Sequence, residues 1–321
     1  MCRTHCQIGI FAAYQSDVSW DWVSLMPISK EASFINFRHE LSLCQIIRRN
    51  SEKIRTTIKC LVLDYDGTIS PLNVERARSR VPRKTRAVLQ RIGRLIPIAI
   101  VTTKDLSFVT TRTSFAQAWS AMNGLEAKIG GRIRRKKCLL HGFKRVSLAL
   151  KYARSHLTEK GTEIEEKQDT LRRTVAFCVD WRRAKNMAAA TKDAGKIATH
   201  CRQLGLNVVR YEAQPFFDVY PMLVDKGTAL ADLLKEMGVT NDVLYMGDSE
   251  ADNPAFERSN ISIGVIREEP FLRRLTCDFY VKFENVSVFL RHLLENNLVF
   301  EPNFPMIEIN VEKMREKCTK E

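Results

Sequence analysis

Asp64 and Asp66 sit two residues apart in Asp64-Tyr65-Asp66-Gly67-Thr68, directly after the apolar run Cys60-Leu61-Val62-Leu63. A buried strand thus delivers two carboxylates into a tight turn. Mutual repulsion and lost hydration make them costly there unless a divalent cation or a transferring phosphoryl group completes the site. A carboxylate at Asp64 can attack phosphorus and form an aspartyl phosphate. Its neighbour Asp66 can protonate a leaving alkoxide and then deprotonate the hydrolytic water. Gly67 permits the turn behind them. The ordinary alternative for Asp-Gly after a strand is a simple β-turn.

A second acidic loop, Gly247-Asp248-Ser249-Glu250-Ala251-Asp252-Asn253-Pro254, follows the apolar run Val243-Leu244-Tyr245-Met246. Asp252 or Asn253 can be explained as the cap of a helix opened by Pro254. Asp248 has no such explanation. With Asp64 it offers two carboxylates to a hard cation, to which the Asp66 backbone carbonyl can add a third oxygen, and Asp252 suits a supporting position behind them. Lys226 precedes Gly227-Thr228-Ala229-Leu230 at a helix start, where a cation opposes the helix dipole unless an anion lies near. Thr102, ending another apolar run, can give its hydroxyl to the same phosphoryl oxygens, although a threonine ending a strand is also commonplace.

The elements that must bring these groups together alternate in type from Ile58 onward, in the α/β pattern of a parallel sheet. Strands are expected at 60–63, 96–101, 243–246, 262–265 and 279–281, with a helix from Pro82 carrying Val88, Ile92 and Leu95. In such sheets ligands collect at the carboxyl ends of strands, so Asp64, Thr102 and Asp248 can converge. Residues 106–222 read as an inserted α/β domain: helices at 142–160 and 186–204, strands at 174–179, 207–211 and 216–220, and a charged connector at 161–170. The expected division is an extension over 1–57, a core of 58–105 and 223–298, the insertion as a lid, and a tail over 299–321.

The 321 residues are 45% hydrophobic, enough for a sizeable core, and hold no run of apolar residues suited to a membrane helix. Nine cysteines without a repeating spacing read as free thiols of a cytoplasmic protein. Cys2, His5, Cys6 and Cys44 lack the paired spacing of a zinc site. A formal charge of +14 raises nucleic acid as a partner. The basic runs at Arg132 to Lys137 and at Arg182, Arg183 and Lys185 carry no interleaved aromatics, however, and no DNA-binding motif is present. A solvated basic surface, or one attracting small anions, is the preferred meaning.

Taken in order, Asp64-Tyr65-Asp66-Gly67-Thr68, Val101-Thr102, Lys226, and Gly247-Asp248 with Asp252 resemble the haloacid dehalogenase-like phosphatase superfamily. Leu63 to Pro71 and Gly247 to Phe256 are similar to the first and last motifs of trehalose-6-phosphate phosphatases, with archaeal relatives closest. The resemblance implies a Rossmann-like parallel core with an inserted cap, and Mg²⁺-dependent hydrolysis of a sugar phosphate such as trehalose 6-phosphate. It assigns Asp64 as nucleophile, Asp66 as general acid and base, Thr102 and Lys226 as phosphoryl binders, Asp248 as a metal ligand and Asp252 as its support. Thr102-Thr103-Lys104 stands where this branch has Ser-Gly-Arg or Thr-Gly-Arg, and Lys104 lacks the bidentate fork of arginine. Glu126 and Asp218 are expected to bond sugar hydroxyls, and Arg182 to reach the phosphate. A sugar phosphomutase is the enzymatic alternative and a non-catalytic phosphate- or nucleic-acid-binding regulator the other. Dehalogenation is disfavoured, having no use for the acid at Asp66.

Overall fold

The computed structural model describes residues 55–311 and 313, apart from 73, 212–213, 268–274 and 305. The expectations for Cys2, His5, Cys6 and Cys44, for most of the 1–57 extension and for the end of the tail fall outside these residues. Thr56–Thr57 (β1) pairs with Val299–Phe300 (β14). Cys60–Leu63 (β2) is buried at all four positions, as befits a strand covered on both faces. It is followed by the helix Arg83–Ile92 (α1), whose buried Thr85, Val88, Leu89 and Ile92 share one side, and by Ile98–Val101 (β3). Leu106–Arg112 (α2) is capped by the Asp105 side chain, which accepts from Phe108 N.

Next come Ala118–Ala121 (β4), Glu126–Ile129 (β5) and Arg132–Arg135 (β6). After the cap, Lys226–Met237 (α5) leads to Val243–Gly247 (β11), the short helix Asn253–Phe256 (α6), Ile261–Ile266 (β12), Phe279–Lys282 (β13), Val286–Glu295 (α7) and Ile307–Ile309 (β15). These strands form one nine-stranded sheet in the order β15-β13-β12-β11-β2-β3-β4-β5-β6. From β13 to β4 all neighbours are parallel. The chain leaves β2 toward β3 and β4, then returns on the other side of β2 as β11, β12 and β13. The β2–β11 junction is therefore the switch point, where a parallel α/β sheet opens a crevice at its carboxyl ends. Helix α5 packs Ala229, Leu230, Leu233 and Leu234 against Cys60, Val62, Val243 and Tyr245 on one face of this sheet.

A second, antiparallel sheet in the order β7-β8-β10-β9 is built from Glu163–Gln168 (β7), Thr174–Asp180 (β8), Asn207–Arg210 (β9) and Phe216–Tyr220 (β10). Period-two alternation splits its faces. Phe177, Val179, Phe217 and Val219 join Val146, Ala194 and Ile197 of the helices Leu139–His156 (α3) and Met187–Gln203 (α4) in a cap core. The register puts Glu165 opposite Cys178, and Cys178 opposite Asp218, on the other, polar face. No helix among the described residues is long and apolar enough to cross a membrane.

The α/β class, parallel core and inserted cap agree with the sequence reading. Three boundaries do not. The core sheet continues past residue 105, because β4 extends it in parallel and the β5–β6 hairpin adds two antiparallel strands, so the second sheet and its helices begin only at Leu139. The 161–170 connector contains β7, an edge strand whose single apolar residue, Ile164, suffices for the buried face. The tail returns as β14 and β15, the latter closing one edge of the sheet against β13.

Candidate active site

At the switch point the Asp64 backbone N–H donates to Met246 O at 2.9 Å, which locks the end of β2 to β11 at Asp64 itself and two residues before Asp248. Asp64, Asp248 and Asp252 are all buried, and each offers a carboxylate oxygen within 4.8 Å of the others. Lys226, the first residue of α5 and 2% exposed, is held between them, with Nζ 2.8 Å from Asp64 Oδ2 and 2.7 Å from Asp252 Oδ1. The helix-start cation thus finds its anions within the protein, which removes the conflict with the helix dipole.

Asp252 is saturated. Its Oδ1 accepts from Lys226 Nζ and from Tyr245 OH at 2.6 Å, and its Oδ2 accepts from Asp248 N at 3.2 Å and from Ser249 N and Oγ at 3.0 and 2.9 Å. It therefore organises the loop and the lysine, a supporting position. Burial pushes the Asp64 carboxyl up to about 7 against the pull of Lys226, and the nearby Asp252 adds to the rise. Burial would lower Lys226, but Asp252 and Asp64 outweigh it and hold the ammonium above its ordinary range. Asp64 and Asp248 thus bring carboxylate oxygens together in a low-dielectric crevice. A hard dication bound by oxygens fits that donor set.

Gly67 shows how tightly the two acidic loops meet. It has φ +77°, and a Cβ there would lie 1.9 Å from Asp248 Oδ2. Gly247 is equally confined, since its Cβ would fall 2.3 Å from Asp252 Cγ. Both glycines exist because a carboxylate occupies the space of a side chain.

Asp66 points to the other side of the loop, where its Oδ2 lies 3.5 Å from Lys104 Nζ and its side chain keeps 29% exposure. Thr102 ends β3 and is buried, with Oγ1 accepting from Lys104 N at 3.3 Å. Lys104 also donates to Glu165 Oε1 and Oε2 of the cap at 3.1 and 3.0 Å. Burial opposes charge on Lys104, yet Asp66 and Glu165 raise its pKa overall. Burial pushes Glu165 up, but Lys104, Lys167 and Arg76 together hold it down to about 2.

The cap residues named from sequence occupy two places. Asp218 is buried on the polar face, with Oδ1 2.5 Å from Lys167 Nζ and Oδ2 accepting from Tyr211 OH at 2.8 Å and Tyr220 OH at 3.3 Å. Arg182 pairs with Asp180 through Nη2 at 2.5 Å, and Asp66 lies near enough to add to the rise in its pKa, which the Asp180 hydrogen bond dominates. Glu126 is fully buried and accepts from Arg135 Nε at 2.9 Å, Thr170 Oγ1 at 2.6 Å and Thr170 N at 3.1 Å. It ties β5 to the β7–β8 turn of the cap. Sequence reading missed Tyr245, Glu165, Lys167 and Arg76. Tyr245 hides in an apolar strand, where the hydroxyl's need for a partner was its signal. The period-two spacing of Glu165 and Lys167 was the other available signal.

The sequence model of the trehalose-phosphatase family matches residues 62–268. The chain is 26% identical over 238 residues to a probable trehalose-phosphate phosphatase J of Arabidopsis thaliana, covering 68% of this chain and 62% of that protein. It therefore spans just over three-fifths of that relative's length. Among solved structures, the C-terminal domain of C. albicans trehalose-6-phosphate phosphatase superposes with a TM-score of 0.60 at 17% identity, over 78% of this chain and 96% of that one. A trehalose-6-phosphate phosphatase related protein gives 0.58 at 17% identity, over 74% and 98%. At these identities the structures speak to the fold alone.

Proposed function

Since the chain belongs to the trehalose-phosphatase family, we propose that it hydrolyses a sugar phosphomonoester, trehalose 6-phosphate or a related sugar phosphate, through an aspartyl phosphate on Asp64. The observation that carries this reading is the meeting of Asp64, Lys226, Asp248 and Asp252, contributed by β2, α5 and the loop after β11, in one buried crevice at the switch point. Asp64 attacks phosphorus. Asp66, on the exposed side of the loop, gives a proton to the departing sugar oxygen and then takes one from the attacking water. Lys226 and the Thr102 hydroxyl receive the phosphoryl oxygens, and the charge of Lys226 is already in place before the transition state forms.

Asp64, Asp248 and the Asp66 carbonyl are the groups to hold Mg²⁺, with Asp252 fixing the loop behind them. When bound, the ion supplies positive charge against the charge that builds on the phosphoryl oxygens. The sugar is assigned to the polar face of the cap sheet, where Glu165, Lys167, Asp218 and Arg182, with Lys104 reaching Glu165 from the core, present both donors and acceptors. Glu126, with its oxygens taken by Arg135 and Thr170, fits a tie between core and cap better than a sugar contact. The five cysteines among the described residues are free thiols, which supports a reducing, cytoplasmic setting.

Phosphate release from a panel of sugar phosphates, with Mg²⁺ and with chelator, tests the proposal. Mg²⁺-dependent release from trehalose 6-phosphate or a close relative is expected. Transfer of the phosphoryl group between sugar hydroxyls without net release would make the protein a mutase, and no turnover of any monoester would refute the assignment.

A further inference from the structure

Arg76 lies in the turn between the Asp64 loop and α1, outside every motif used so far, yet it is the hub of a charge chain joining core to cap. Its guanidinium bonds Asp105 through Nη2 and reaches Glu165 Oε1 through Nη1 at 2.5 Å. Its Cζ sits 4.3 Å from the centroid of the Phe108 ring. The core side of this arrangement is rigid. Asp105 is 2% exposed and uses its other oxygen to cap α2, accepting from Phe108 N at 2.9 Å and Ser107 Oγ at 2.7 Å. The cap side is a single carboxylate, and Glu165 is also bonded by Lys104, which in turn lies 3.5 Å from Asp66. Charges alternate along the series Asp105, Arg76, Glu165, Lys104, Asp66.

We infer that Arg76 is a positioning residue that docks the cap strand β7 on the core by joining Glu165 to the buried Asp105. The planar fork explains the residue type: one guanidinium spans two carboxylates on different domains while stacking on Phe108, which a point-charge ammonium cannot do. Arg76 touches no reacting atom. It raises the fraction of molecules whose cap is closed, and apparent affinity for a cap-bound substrate scales with that fraction. The kinetic consequence rests on the phosphatase proposal, whereas the docking itself does not.

Two measurements on the full-length protein separate these. Amide hydrogen exchange without substrate should show Arg76→Ala speeding exchange over 163–170 while 60–63 and 243–247 stay protected. Kinetics with the best sugar phosphate should show KM rising about tenfold in Arg76→Ala, with kcat changed by no more than about twofold. The kcat/KM for p-nitrophenyl phosphate, too small to engage the cap, should stay within about twofold. Arg76→Lys should fail to restore KM, and Arg76→Ala combined with Glu165→Gln should be no worse than the more impaired single variant. Unchanged exchange over 163–170, full restoration by lysine, or multiplicative effects in the double variant would overturn the inference. Absence of turnover in the unsubstituted protein would refute the phosphatase reading and leave the exchange result to decide the role of Arg76.

Discussion

Three buried carboxylates meet in the crevice, and their donors divide the labour among them. Asp252 accepts from five groups and is spent on structure, whereas Asp64 meets a single lysine and carries a raised pKa. An acid raised from 3.8 to about 7 binds its proton more tightly when folded, so its contribution falls as pH climbs through that window. Asp64→Asn should therefore abolish turnover yet raise the melting temperature of the metal-free protein at pH 8, and the difference should vanish below about pH 4. A variant that melts lower at pH 8 would contradict the burial argument. Gly67 is the complementary case. Gly67→Ala should cost on the order of 1–3 kcal/mol in urea unfolding, through its positive φ and the collision with Asp248, and should weaken Mg²⁺ binding in calorimetric titration. Wild-type Mg²⁺ affinity in that variant would refute the close approach of the two loops.

At the scale of elements, the legible parts were those whose signal is local. Four consecutive buried apolar residues in each of β2 and β3, ending in Asp64 and Thr102, could be read as core strands ending at a site. The run before Asp248 was equally plain. Strand β7 was not, because Glu163-Ile164-Glu165-Glu166-Lys167-Gln168 becomes a strand only through its ladder to β8, a pairing invisible from composition. The core boundary failed for a similar reason: β4 is fixed by its long-range register with β3, and only then can β5 and β6 extend the sheet. Once placed, β7 carries a consequence for pH. Glu165 is held down from 4.5 to about 2, so the stability it lends is full above pH 4.5 and is lost as pH falls toward 2. Urea unfolding at stepped pH should show the gap between the unsubstituted protein and Glu165→Gln closing over that interval. A gap independent of pH would remove Glu165 from the docking contact.

Among the described residues, a mostly parallel core gathers three carboxylates at one crevice, and the cap beside it has a polar face that balances acids against bases. Glu165 with Lys104 and Arg76, Asp218 with Lys167, and Asp180 with Arg182 leave little net charge on that face, which suits a polyhydroxy body more than a second anionic group. The chain's +14 charge thus does not describe its crevice, and net charge misleads about a site where burial and pairing set the local balance. The order of the four motifs was sufficient to bring Asp64, Lys226, Asp248 and Asp252 to one crevice, because each motif ends or begins an element packed on the sheet. The cap-facing side was less legible, since its side chains come from strands whose pairing decides which of them share a face. All of the proposed chemistry starts with Asp64 accepting the phosphoryl group. Rapid acid quench of the protein with radiolabelled sugar phosphate and Mg²⁺, followed by borohydride reduction and peptide mapping by mass spectrometry, tests it directly. Label on the protein and homoserine at position 64 are expected, both absent in Asp64→Asn; phosphate release without any acyl adduct at Asp64 would rule out Asp64 as the acceptor.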